Sequence, residues 1–247
     1  MVFLKIGTNN MAAKPKLFLN WSSGKDAAYA LYLLQEEGYY EVDRLLTTIN
    51  SSTNRISLHG LSKELLIAQA SAIELLLDII SFKADFDAEA YAKMMQTEMV
   101  RLKQLGYNHA AFGDIFLEDL RAYREKQLNN HQIQTVFPLW KKDTKQQLKD
   151  FISSGFKAVV VSANAKWFGS DFVGKEIDER FLNCLPNEVD PCGENGEFHT
   201  FCYDGPIFKR PVKFQITDIL IKTYPPIDSS DKGIEFWFAE LISLNKQ

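Results

Sequence analysis

Four times between residues 16 and 129, a short apolar run gives way to a stretch whose apolar residues recur at helical spacing, and few folds accommodate that alternation. Residues 16–21, 42–49, 79–82 and 109–115 read as strands, and residues 26–37, 60–77, 87–105 and 117–129 as helices. This order predicts an α/β fold, a doubly wound parallel sheet with helices over both faces. In the first helix Ala27, Ala28, Ala30, Leu31, Leu33 and Leu34 are apolar nearly all round, which predicts deep burial, and Gly38 supplies a stop. The second is read from Leu61, Leu65, Ala68, Ala72 and Leu76. Ligands of such sheets sit outside the carboxyl ends of the strands, so the loops after Trp21, Ile49 and Phe112 should line one crevice.

After Phe137 and Pro138 the pattern changes. A helix over 143–153 and a strand over 157–162 precede a loop-rich stretch with Gly169, Gly174, Pro186, Pro191, Gly193, Gly196 and Gly205, and β-like runs at 214–221 and 235–241 follow. The expected organisation is a loose N-terminal arm (1–14), a nucleotide-binding domain (15–140) and a smaller α+β substrate-binding domain (141–247). The arm lacks the apolar region of a signal peptide, and Met11 is a second candidate start. No apolar run approaches the roughly 20 residues needed to span a membrane. A net charge of −4 argues against a broad nucleic-acid footprint. Three cysteines, Cys184, Cys192 and Cys202, form no C-x-x-C pair, which disfavours a disulfide framework or four-cysteine metal site and fits a reducing cytoplasm.

The first strand ends in Ser22, Ser23, Gly24, Lys25 and Asp26. Glycine lets a backbone approach a ligand, and a helix N-terminus offers free N–H groups and partial positive charge. A Walker A loop is excluded: it requires glycine where Leu19 stands and Ser or Thr where Asp26 stands. The run instead resembles the PP-loop of the ATP-pyrophosphatase superfamily, Ser-Gly-Gly-Lys-Asp-Ser. That resemblance implies a Rossmann-like fold of the adenine nucleotide alpha hydrolase kind and cleavage of ATP between its α- and β-phosphates. Ser22, Ser23, Gly24, Lys25 and Asp26 would then hold the pyrophosphate, with Mg²⁺ screening its charge and no dedicated set of protein metal ligands. Ser23 and Ala27 depart from the pattern; Ser23 would be strained if the turn needs a positive φ.

A second cluster lies far along the chain. Residues 190–206 read Asp-Pro-Cys-Gly-Glu-Asn-Gly-Glu-Phe-His-Thr-Phe-Cys-Tyr-Asp-Gly-Pro. Glu194 and Glu197, with His199 beyond them, could orient an amine, transfer protons or bind a metal, or form a polar surface turn. With the PP-loop, this segment resembles the diphthine–ammonia ligase family, whose signature is Gly-Glu-Gly-Gly-Glu-(Tyr/Phe)-(Glu/His)-Thr. Residues 55–60, 112–124, 138–140 and 205–208 are also family-like, so the resemblance spans about 16–211. The Glu-Asn-Gly-Glu-Phe-His-Thr version looks like a bacterial-type branch, and because bacteria lack the diphthamide pathway the carboxylate could be another one.

The resemblance implies a cytoplasmic, ATP-dependent ligase that adenylates a small-molecule or protein-borne carboxylate and amidates it with ammonia, releasing AMP and pyrophosphate. Lys25, Asp114, Glu194, Glu197 and His199 are the catalytic candidates. Asn50, His59 and Gly113 join the turn as nucleotide-binding candidates, and Arg121, Arg124, Glu194, Glu197 and Thr200 are the substrate-binding set. Local alternatives stay open. Asp114 could cap the helix that follows, Arg121 could pair with Glu125 four residues on, and His59 could be loop packing. No role is assigned to His109 or His131; Cys192 reads as a small buried residue and Trp140 as hinge packing. Two rival activities remain, an RNA-modifying PP-loop enzyme and a catalytically silent nucleotide sensor.

Overall fold

The computed structural model of the protein describes residues 13–56, 59–83, 88–224 and 233–244, so nearly all of the expected N-terminal arm lies outside the described residues. The chain begins with β1 (Lys16–Asn20), α1 (Lys25–Glu37), β2 (Glu41–Asn50), α2 (Lys63–Ile73), β3 (Leu76–Phe82), α3 (Ala88–Gln104), β4 (His109–Ala111), α4 (Glu118–Asn129) and β5 (Gln134–Val136). These strands form one parallel sheet in the order β3-β2-β1-β4-β5, the doubly wound arrangement expected from the alternation.

Why β1 lacks polar alternation is visible in its burial. Leu17, Phe18 and Leu19 are all fully buried; Leu17 and Leu19 join a core with α1 and α2, while Phe18 joins one with Met99 and Leu102 of α3 and Leu128 of α4. A strand covered on both faces must be apolar throughout. Helix α1 is apolar nearly all round for a related reason: a second sheet covers its other side.

That sheet follows α5 (Thr144–Ser153) and comprises β6 (Lys157–Asn164), β7 (Phe198–Asp204), β8 (Phe214–Tyr224) and β9 (Ile234–Ser243), antiparallel in the order β7-β6-β9-β8. Val159, Val161 and Phe201 share one continuous core with Leu31 of α1, Leu66 of α2 and Phe151 of α5.

Several boundaries differ from expectation. Helix α1 ends at Gly38 as read, with φ 66° and its N–H on the Leu34 carbonyl. Helix α2 starts later, where the Ser62 side chain accepts from Leu65 N, and stops at Glu74 with φ 64°; Leu76 belongs to β3 rather than to the helix. Strand β4 ends at Ala111, short of Ile115. Strand β5 was too short to announce itself, and β7 was hidden because His199, Thr200 and Tyr203 interrupt its apolar run.

The two sheet strands that meet at the centre, β1 and β4, send their connections in opposite directions, which opens a crevice at their carboxyl ends. Gly113 allows this: a Cβ there would lie 3.0 Å from Ala27 N and 3.0 Å from the Asp26 carbonyl carbon. Gly113→Ala is therefore expected to push the start of α1 from β4 and to lower stability by about 1–3 kcal/mol, read from denaturant or thermal unfolding.

Candidate active site

The turn after β1 is built around one strained residue. Ser23 adopts φ 71°, a left-handed conformation that a non-glycine residue takes at a cost of about 1–3 kcal/mol. Its side chain is fully buried and donates to the Ser22 carbonyl, so it does not face a ligand. What holds it is bonding to its backbone: Ser23 O accepts from Cys202 N of β7 at 2.9 Å and from Gln69 Nε2 of α2 at 3.0 Å. Gln69 also donates to Cys202 O at 2.6 Å and accepts from Trp21 Nε1 at 3.0 Å. One buried amide thus ties β1, α2, β7 and the turn together. Sequence reasoning missed it, although a glutamine inside an apolar helix face was a visible signal.

Gly24 then caps α1 without a side-chain bond. A Cβ on Gly24 would sit 3.1 Å from His59 Cε1 and 3.3 Å from Thr200 O, so a larger residue would need its neighbours to give way by a few tenths of an ångström. The first free N–H of the helix, Lys25 N, donates to Thr200 Oγ1 at 3.0 Å. Strand β7 therefore places a hydroxyl where a helix N-terminus attracts an anion. Lys25 is buried, with Nζ on Asp26 Oδ2 at 2.7 Å and on the Cys192 carbonyl. Burial opposes its charge, but Asp26, Cys192 and Glu194 outweigh that and leave its pKa raised. Burial likewise raises Asp26, against the pull of Lys25.

Residues 190–196 fold back over this turn, and the two signature carboxylates part company. Glu194 lines the crevice; its carboxylate accepts from Ile115 N at 2.7 Å, and burial raises its pKa to about 7, with the charges of Asp26 and Asp114 adding to the effect and the Ile115 bond opposing it. Glu197 does not line it. Its buried carboxylate accepts from Asp190 N at 3.1 Å, Asn195 N at 3.0 Å and Asn195 Nδ2 at 3.0 Å, closing its own loop. The tight path explains the split: Gly193 has φ 71°, and a Cβ there would meet the Phe198 carbonyl at 2.8 Å.

His59 and His199 stand together, ring centroids 4.7 Å apart, on the crevice wall. Desolvation lowers His59 to about 4, opposed by Thr200 O at 3.2 Å from Nδ1. Desolvation, then His59 and Lys25, hold His199 well below its ordinary value. Both imidazoles are neutral at neutral pH, hydrogen-bonding groups rather than cations. Cys192 is buried with its Sγ toward the Thr144 carbonyl, and burial pushes its thiol up, away from a thiolate.

Across the crevice, Asp114 does not cap α4, whose N-cap is Leu117. It is paired with Arg124, Nε to Oδ2 at 2.7 Å, and burial raises its pKa against that pull. Arg124 also lies 4.2 Å over the Phe112 ring. Arg121 was expected beside it and is not: it pairs with Glu125 at 2.7 Å and stacks on Trp140 and Phe137, 4.6 and 5.0 Å away. Positions three apart diverge by about 60° around a helix, enough to turn one side chain from the crevice.

Asn50 is likewise outside it, with Oδ1 accepting from Ser52 N at 2.8 Å. The last residue of β1, Asn20, pairs with Leu46, so β2 runs on four residues past the turn. The residues that line the crevice are Leu46, Thr47 and Thr48, which the strand reading left unassigned. The cavity has a volume of about 1160 Å³ and continues between α3 and α4, where Phe18, Tyr91, Met95, Met99 and Tyr123 give it an apolar wall. Ser22, Gly24, Lys25, Asp26, Gly113 and Thr200 all line its polar end.

Comparison with known proteins matches the family models "Diphthamide synthase N-terminal domain" over residues 16–132 and "Diphthamide synthase C-terminal domain" over residues 143–225. Similar curated proteins include diphthine–ammonia ligase of Bos taurus, 24% identical over 222 residues, covering 81% of this chain and 82% of that one. The Homo sapiens protein of the same name is 24% identical over 223 residues, covering 81% and 83%. That of Danio rerio is 34% identical over 95 residues, 36% of this chain and 37% of its own. Among solved structures, the U34-tRNA thiolase NcsA from Methanococcus maripaludis with its [4Fe-4S] cluster matches with TM-score 0.37 and 12% identity over 60% of each chain.

Replacing Gln69 with leucine should leave buried Trp21 Nε1 without its partner and release the strained turn. The expected loss is about 2–4 kcal/mol in unfolding free energy, measured by urea titration.

Proposed function

This chain belongs to the diphthamide synthase family, and from that premise we infer that it is an ATP-dependent ligase that joins ammonia to a substrate carboxylate through an adenylate. The observation that carries the reading is the closure of the 190–200 segment over the phosphate turn. It brings Glu194, His199 and Thr200 to the amino end of α1, beside Lys25.

A carboxylate is a poor electrophile, and its oxygen is a poor leaving group. Attack of a carboxylate oxygen on the α-phosphorus of ATP, with loss of pyrophosphate, bonds that oxygen to phosphorus, so that it can later leave the acyl carbon as part of AMP. Ammonia then adds to the acyl carbon, AMP departs, and one proton leaves the nitrogen. The backbone N–H groups of the turn and Lys25 would hold the β- and γ-phosphates, taking up the charge that develops on pyrophosphate. Thr200 and Asp26 would give up their present partners to the ligand. The apolar wall between α3 and α4 suits the adenosine or the substrate body.

Mg²⁺ fits as a passenger of the nucleotide. Among the described residues no three His, Cys, Asp or Glu side chains converge on one point. Mg²⁺ commonly takes one or two carboxylates plus phosphate oxygens, and Asp26 and Asp114 line the crevice. Bound there, it would neutralise charge on the phosphates.

Glu194 would accept the proton from nitrogen. A pKa near 7 leaves it partly ionised at neutral pH, unlike an ordinary glutamate, and the neutral histidines are weaker acceptors. The relatives' names give diphthine and ammonia, which supports the same reaction class for this chain, on a carboxylate that is small or protein-borne.

Purified protein supplied with ATP, Mg²⁺ and ammonium is expected to form AMP and pyrophosphate when given a diphthine-bearing protein or a matching small carboxylate. ADP and orthophosphate in their place would overturn the assignment. Because the acceptor works ionised, the rate per free ammonia should fall as pH drops through about 7. Glu194→Gln should lower the rate by about 100- to 10,000-fold and flatten that profile.

A further inference from the structure

Strand β8 forms one edge of the second sheet, paired only with β9 among the described residues. The opposite edge, β7, is covered: Cys202 N bonds to Ser23 O, and Val212 N to Tyr203 O. Among the described residues nothing comparable covers β8, although it is eleven residues long. A long open edge with apolar side chains is a template for another strand, and monomers usually blunt such edges. Here Ile219, Leu220, Ile221 and Tyr224 are exposed by 36–46%, with Ile234 and Ile242 exposed beside them on β9.

The sequence of this edge is self-complementary. An antiparallel pair of identical strands related by a two-fold axis at Leu220 sets Leu220 against its own copy and Ile219 against Ile221. It also sets Asp218 against Lys222, twice, within the regular part of β8 that follows the irregularity between Ile216 and Asp218. In such a pair Asp218 and Lys222 would each gain an ion-pair partner. Lys222 Nζ is 3.6 Å from Glu240, but Arg55 already pairs with that carboxylate, so two cations share one anion. Asp218 has no ion pair among the described residues. Its Oδ1 accepts from Ile219 N at 2.8 Å, which lays the carboxylate against the backbone of the strand. Lys222 also sits 4.7 Å over Phe238, a contact that a shift toward the edge would give up.

We propose that β8 pairs with β8 of a second copy about a two-fold axis at Leu220, making the protein a dimer with one sheet continuous through both copies. The isoleucines then form a four-residue apolar cluster on one face, and the Asp218–Lys222 pairs flank Leu220 on the other.

Sedimentation or light scattering of the full chain at micromolar concentration tests this. A dimer is expected; a monomer up to 100-fold above the assay concentration overturns the proposal and leaves the edge to a different protein. Asp218→Lys and Lys222→Asp should each weaken the dimer at least tenfold by opposing like charges, and the two together should restore it. A dimer indifferent to either single change would place the interface elsewhere and also overturns the proposal. In a Cys184→Ser background, which removes the exposed native thiol, Leu220→Cys should oxidise to a covalent dimer, because directly opposed residues have Cα atoms about 4.5–5.5 Å apart. Failure of that cross-link, with the dimer intact, counts against the axis at Leu220.

Discussion

The rest of this structure depends on the bond from Cys202 N of β7 to Ser23 O in the turn after β1. Ser23 occupies a backbone conformation that its side chain disfavours, so something outside the turn must hold it there. The second sheet does so, with Gln69 as brace. From that junction the other placements follow. Two residues earlier along β7, Thr200 meets Lys25 N, and the preceding loop brings Glu194 to Ile115 N and the Cys192 carbonyl to Lys25. A site of this kind has no existence on either sheet alone.

Electrostatics in the crevice is dominated by desolvation. Burial raises the carboxyl groups of Asp26, Asp114 and Glu194 and lowers both histidines, so in every case it favours the neutral form. Lys25 and Arg124 each have a carboxylate close by, which moderates the cost of enclosing them. The phosphate turn and the wall between α3 and α4 both line the cavity, and that wall carries Gln96 and Gln127 beside its apolar side chains.

The sheet order was legible in the sequence because each buried parallel strand is short, apolar and followed by a helix of a different period. The phosphate turn was legible for a similar reason, since Gly24 and Lys25 at a strand-to-helix junction serve few other purposes. What could not be read was direction. Glu194 and Glu197 are three residues apart in one motif, yet one faces the crevice and the other its own loop, a difference set by two glycine turns. Arg121 and Arg124 share a helix, but Phe137 and Trp140, from a different part of the chain, claim the first. Asn50 failed as a crevice residue because the lengths of β1 and β2 differ, a property of pairing register. Gln69 escaped notice because its partners come from two segments distant from it in the chain, the turn after β1 and strand β7.

Helix α1 is a wall common to both sheets, with Ala28, Ala30 and Leu31 fully buried and its first half enclosed nearly all round. The two family segments, matched at 16–132 and 143–225, are therefore separable as patterns but not as bodies. A chain cut between them would leave α1 with a bare apolar flank and β7 with no turn to hold. Because the two halves share one buried core, they are expected to unfold together in a thermal melt rather than in two steps.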